Sequence, residues 1–231
     1  MKIKSIKKYN LLKYNLLNSR SYLGLQKLSF YYLNSVYLTG FRNTLSIFNI
    51  KQTKNFIKKS LLIIYKYHYS NKKILFVGFP NLKNKKYTLL FSQTNHFYLP
   101  QNCWLNNFIM NYQQITRILK KNKKLKNTLN IKLLNNFLSI KQIPDLIVLY
   151  NQTKEAILLK EILNVKIPFI SFLNSSGNSN ELNYKVPGGF HNLKTENFCY
   201  LLLKSILTLP TLKFYYKKKY YDKKKLLQTT L

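Results

Sequence analysis

Four branched apolar residues, 146–149, follow Pro144 and Asp145 without a polar residue among them. A half-exposed strand alternates, so a run this continuous belongs to a strand covered on both faces. Further on, Ala156, Leu159 and Leu163 recur at helical spacing, with Lys154, Glu155, Lys160 and Glu161 assigned to solvent and Asn151 and Thr153 as N-caps. Asn164 reads as the helix stop, and Pro168 leads into a second strand containing Phe169, Ile170 and Phe172. Strand, helix and strand, joined by a right-handed crossover, make a parallel α/β unit.

The same reading extends along the chain. Residues 73–78 repeat the buried-strand pattern. Residues 31–47 alternate around Gly40 and Asn43, which predicts two extended segments and a turn. Thr53 is placed as the cap of a helix running to about Tyr67, with Ile57, Leu61, Ile64 and Tyr65 on its apolar face and Asn71 as its end. A covering helix over 87–92, a brief strand over 97–99 and a last strand over 184–186 follow. After the turn Pro187-Gly188-Gly189 comes a closing helix over 196–207, with Phe198, Leu201, Leu202 and Ser205 at helical spacing.

Charge narrows the function classes. The 231 residues carry 39 basic and 6 acidic side chains, a net charge of +33. Such a chain repels itself unless a polyanion lies against it, which makes nucleic acid the leading partner. The basic residues are spread from Lys2 to Lys225 and do not gather on one amphipathic helix, which argues against a membrane surface. No apolar run approaches the ~20 residues of a membrane span. Three of the basic residues are Arg and 36 are Lys; with 28 Asn, 19 Tyr and a single Ala, this is the output of an AT-rich genome. A reduced organellar genome, mitochondrial in the first instance, fits that bias.

Candidate chemistry is sparse. Cys103 and Cys199 form no CxxC and read as ordinary buried thiols. His68, His96 and His191 stand far apart, without HxxxH or CxxH spacing, so no metal site and no cofactor is expected. Gly78 ends a strand where a phosphate turn would begin, but Phe79, Pro80 and Asn81 replace GxGxxG, and no GxxxxGK[ST] occurs. Gly78 is read as a strand exit. Ser176-Gly177 does not form a hydrolase elbow. Asp145 starts a strand, Glu155 and Glu161 face solvent, and Glu181, Glu196 and Asp222 have no evident partners. No catalytic set is assembled.

Several of these stretches are similar to signatures of the small-subunit ribosomal protein S2 family. Leu17-Asn18-Ser19-Arg20-Ser21-Tyr22-Leu23-Gly24 resembles the family's first signature, with Tyr22 in a place often held by His and Leu25 in place of a second common His. The preceding sixteen residues have a transit peptide's composition but the length of the family's first helix, and are taken as that helix. Gly40-Phe41-Arg42-Asn43 resembles the Gly-x-Arg-Asn turn. Residues 104–111 resemble Trp-Leu-Gly-Gly-x-Leu-Thr-Asn, with two Asn for the two Gly. Residues 143–173, with Val186-Pro187-Gly188, resemble the second signature. The acidic run common after the strand ending near Leu173 is replaced by Asn and Ser.

The resemblance implies an α/β, flavodoxin-like three-layer sandwich with a five-stranded parallel sheet in the order 2-1-3-4-5. It also implies a shortened helical hairpin near 111–143, a segment that reads equally as a solvated loop. Residues 1–50 form an N-terminal helix and extended segment, 51–209 the α/β body and 210–231 a basic tail. The implied role is a structural, non-enzymatic constituent of the mitochondrial small ribosomal subunit. Its partners would be small-subunit rRNA and neighbouring ribosomal proteins, without a membrane, a small-molecule substrate or homo-oligomerisation. Charge neutralisation by lysine would carry the binding, without base readout.

The candidate RNA-binding residues are Arg20, Lys27, Arg42 and Asn43, then Arg117, Lys120, Lys121, Lys123 and Lys124, and Lys217, Lys218 and Lys219 in the tail. In that tail Tyr215, Tyr216, Tyr220 and Tyr221 interleave with lysine, as suits RNA and equally suits a solvated end. Trp104 is read as a core anchor in preference to a base-stacking ring. The alternatives are a divergent nucleotide-dependent α/β enzyme and a free RNA-binding factor.

Overall fold

The computed structural model describes residues 11–26, 32–80, 86–94, 96–100, 104–105, 107–121, 137, 140, 142–150, 156–177 and 184–211. The chain opens with helix α1 over residues 11–18, whose Leu16 is fully buried. Strands β1 (Leu23–Gln26), β2 (Leu38–Arg42) and β3 (Leu45–Phe48) form an antiparallel sheet in the order β1-β3-β2. The expected extended start near Tyr31 is instead a 3-10 turn, Tyr32–Tyr37. Strands β2 and β3 meet in a two-residue hairpin, with Arg42 opposite Leu45 and both Asn43 (φ 45°) and Thr44 (φ 65°) left-handed. That is the turn whose twist matches paired strands, and Asn is suited to it.

The α/β body then runs α2 (Ile50–Tyr69), β4 (Ile74–Phe79), α3 (Lys86–Ser92), β5 (Phe97–Pro100), α4 (Tyr112–Lys121) and β6 (Leu146–Leu149). It ends with α5 (Ala156–Val165), β7 (Phe169–Leu173), β8 (Tyr184–Pro187) and α6 (Leu193–Leu207). The five strands β4 to β8 are parallel and lie in the order β5-β4-β6-β7-β8, the flavodoxin-like 2-1-3-4-5. Strand β6 is buried at all four positions, as its unbroken apolar run requires.

Side chains alternate between the two faces of this sheet. Ile74, Phe76, Val148, Ile170 and Phe172 meet Ile57 and Ile64 of α2, Tyr87 and Phe91 of α3, and Leu203 of α6. Leu75, Val77, Ile147, Leu149 and Phe169 meet Leu158 and Ile162 of α5, with Phe108 and Phe137. Each such buried side chain contributes roughly 1.5–3 kcal/mol.

Several local expectations are corrected. Gly78 lies inside β4 at φ 77°, where the pairing register slips. The slip carries Phe79 onto the face of Phe76, 5.8 Å away between ring centroids, so this glycine is a bulge and not a strand exit. Helix α2 starts three residues before Thr53. Asn49 caps it, accepting from Lys51 N (3.1 Å) and Gln52 N (3.4 Å), while Thr53 is buried beneath the first turn. Tyr65 points outward, and Asn71 takes the left-handed exit expected of it. Helix α5 runs past Asn164 to Val165, and Lys166 (φ 59°) makes the turn. The proposed caps Asn151 and Thr153 lie outside the described residues.

Helix α6 begins at Leu193, and its buried face is Thr195, Phe198, Cys199, Leu203 and Leu207, with Leu201 and Ser205 exposed. Three consecutive leucines carry no helical phase. The tertiary anchors set it: Asn192 N donates to Thr195 Oγ1, and Tyr87 Oη donates to the Glu196 carbonyl at 2.8 Å.

Candidate nucleic-acid interface

In an open parallel sheet, ligands bind beyond the carboxyl ends of the strands. Here the chain's own N-terminal arm occupies that position. The Asn34 amide, fully buried, lies within hydrogen-bond distance of three carbonyls of the loop after β7, those of Asn174 (3.4 Å), Ser175 (3.0 Å) and Gly177 (2.7 Å). Leu25 N donates to Ser175 Oγ, and Asn174 Oδ1 accepts from Phe190 N, both at 2.9 Å. Gly189 N donates to the Ser21 carbonyl at 2.7 Å, and a Cβ on Gly189 would lie 1.6 Å from the Leu23 carbonyl oxygen. Residues 174–177, where the Asn- and Ser-rich loop leaves β7, are thus a largely buried docking seat for β1 and the 3-10 turn.

Among the described residues, the expected RNA-binding residues do not form one patch. Arg20 (φ 57°) is exposed in the turn between α1 and β1. Arg42 and Asn43 are exposed at the hairpin tip, beside Leu45 and hence beside Gln26, at the opposite end of β1. Arg117 is exposed on α4, whose Tyr112 and Ile115 pack on the other face of the sheet. Lys120 and Lys121 close that helix. Lys27, Lys123, Lys124, Lys217, Lys218 and Lys219 lie outside the described residues, as do Cys103, most of the expected hairpin and the tail.

Glu161 was assigned to solvent and is buried, 3% exposed. Its carboxylate accepts from Ile109 N (2.5 Å), Met110 N (3.1 Å) and Trp104 Nε1 (3.0 Å). Its neighbours Leu158, Leu159 and Ile162 are buried too, while Lys160 stays exposed, so the solvent face of the helix is narrower than expected and excludes Glu161. The three donors stabilise the carboxylate in place of water. Trp104 packs edge-on against Phe108 and Phe137 and acts as the expected core anchor. Asn107 (φ 57°) holds the left-handed position where the S2-like motif has glycine.

Two histidines far apart in sequence meet in space. His68 Nδ1 and His96 Nε2 are 2.8 Å apart, His96 Nδ1 lies 3.4 Å from Ile74 N, and His68 Nε2 is 2.9 Å from the Leu209 carbonyl. Ile74 N–H can only donate and the carbonyl only accept, which makes both rings neutral and Nε2-protonated. Burial, then His68 and Lys73, lower the His96 pKa to about 3. A cavity of about 480 Å³ lies beside them, lined also by Asn71, Gln93 and Thr208. Among the described residues no three His, Cys, Asp or Glu side chains gather as a metal site. Burial also pushes the Cys199 thiol up, which leaves it unreactive.

A basic surface absent from the sequence reading is the outer side of α2, where Lys51, Lys58, Lys59 and Lys66 are exposed and no acidic residue occurs in the helix. Its sequence signal is the absence of any Asp or Glu over twenty helical residues.

Against known proteins, the family model described as ribosomal protein S2 matches residues 16–208. The chain belongs to the ribosomal protein S2 family. Its relatives include the small ribosomal subunit protein uS2 of Rickettsia typhi, 24% identical over 182 residues, covering 69% of this chain and 61% of that protein. The uS2 of Carsonella ruddii is 25% identical over 197 residues, covering 75% of this chain and 88% of its own length. That of Buchnera aphidicola is 25% identical over 174 residues, with coverages of 66% and 71%. The chain thus spans about three fifths of the Rickettsia typhi relative. In this S2 chain parts of the signature stretches close the arm onto the sheet: Ser21 to Gly24, with Gly188 and the adjoining Gly189 beneath them.

Proposed function

We propose that this chain is a structural constituent of the mitochondrial small ribosomal subunit, held against small-subunit rRNA and neighbouring ribosomal proteins without catalysing a reaction. The observation that carries this reading is membership of the S2 family over residues 16–208, relatives of which bear the name of a small-subunit protein. The charge of +33 supports an RNA partner, since lysines on phosphates release counterions on binding. The filled carboxyl end of the sheet supports a structural role, because the usual ligand crevice of the fold is taken by Asn34 and the glycine-backed arm. The AT-driven bias to Lys and Asn supports an organellar genome.

The test is sedimentation of a mitochondrial lysate on sucrose gradients at moderate and high salt, with the chain followed by mass spectrometry. Comigration with the small subunit, loosened at high salt, is expected. Confinement to the light fractions at both salts would overturn the reading.

A further inference from the structure

We infer that the solvent face of α2 is a docking surface for the sugar-phosphate backbone of folded RNA. Lys51, Lys59 and Lys66 are its phosphate contacts, and Tyr65 is a ring set among them. The inference rests on the rRNA-binding reading above and names the surface that performs it.

The placement is fixed by packing. Thr53, Lys54, Ile57, Ser60, Ile64 and His68 of α2 are buried, which leaves the opposite side to solvent. At 100° per residue, positions 51, 58, 59, 62, 65 and 66 fall within an arc of roughly 120°. At 1.5 Å per residue, the lysines at 51, 58–59 and 66 stand in steps of about 11 Å along a line of about 22 Å. Between them Leu62 is 54% and Tyr65 36% exposed, and the Tyr65 ring lies 5.8 Å from that of Tyr69.

Codon bias loads lysine throughout the chain, so the number of lysines says nothing by itself. The electrostatics of the helix are what mark this surface. Lys51 sits in the first turn, at the positive end of the helix dipole, with no acid there. A polyanion along this face meets the exposed Lys51, Lys58, Lys59 and Lys66 and no carboxylate of the helix. A line of charges 22 Å long suits a repeating phosphate backbone better than a single anion, and the tyrosine offers a flat face to a sugar or base.

The test uses the full chain with Lys51→Gln, Lys59→Gln and Lys66→Gln combined, compared with a scattered control, Lys13→Gln, Lys160→Gln and Lys194→Gln. Each is titrated with small-subunit rRNA across 50–200 mM salt, with helicity checked by circular dichroism. The α2 variant should lower the slope of log K against log salt by about 2–3 and weaken binding at least tenfold, while the control moves the slope by less than one. Equal effects in both variants would overturn the inference, because the α2 lysines would then be surplus charge. Intact rRNA binding with lost incorporation into the subunit would also overturn it, and would assign the face to a protein neighbour. Absence of rRNA binding by the unsubstituted chain would instead sink the rRNA reading on which it rests.

Discussion

At the carboxyl end of the central sheet, Asn34, Ser175 and Gly189 hold the N-terminal arm in place with buried hydrogen bonds and backbone contact. At the amino end, His68 and His96 line a cavity of about 480 Å³ and tie β4 to the Leu209 carbonyl beyond α6. Both ends share one sheet and differ in what lies across them. The end where this fold class keeps its ligands is closed by the protein itself, and the roomier end carries two neutral rings whose protons are already committed. Position in a fold therefore does not assign chemistry; the side chains and backbone that reach the position do.

The strongest way to break this contrast is Gly189→Ala. The added Cβ meets the Leu23 carbonyl oxygen, part of the backbone, which has no rotamer to yield. A loss of about 3 kcal/mol or more is expected, read by urea unfolding with fluorescence of the lone Trp104. Asn34→Ala comes next. It leaves the carbonyls of Asn174, Ser175 and Gly177 without the amide and should cost about 2 kcal/mol in the same assay.

The amino end should respond to acid instead. His96 is held neutral to about 3 when folded and titrates near 6.5 when unfolded. Its contribution is therefore complete above the unfolded value and is lost as pH falls from 6.5 toward 3, at up to about 1.4 kcal/mol per pH unit. His96→Gln keeps an acceptor and a donor in the chain of hydrogen bonds and should flatten the melting temperature against pH over that window; an unchanged slope would remove His96 from this role. The smallest effect is expected of His68→Leu, about 1 kcal/mol by thermal melting, because the half-open site lets water reach the Leu209 carbonyl.

Much of this fold was legible because its signals are local. Strand β6 announces itself by four apolar residues in a row, and Asn71 by tolerance of a left-handed turn at a helix end. The hairpin at Asn43 was legible for the same reason. The candidate interface was less so: Arg20, Arg42 and Arg117 are exposed, yet they lie at separate places on the molecule. The α2 lysines were less legible because the apolar stripe of a helix is periodic, whereas the charge on its other side follows no pattern in a chain this rich in lysine.

By itself the sequence determined the alternation of strands and helices, the S2 resemblance and the strongly positive net charge, since burial pattern, motif and charge need no neighbours to be read. The tertiary structure decided that Glu161 is buried, that His68 and His96 touch, and that the arm seals the sheet. Glu161 reaches donors on the Ile109 and Met110 backbone, and Asn34 reaches carbonyls 140 to 143 residues away. Backbone N–H and C=O groups are nearly the same at every residue, so such a partner leaves no mark in the sequence and only the folded chain selects it.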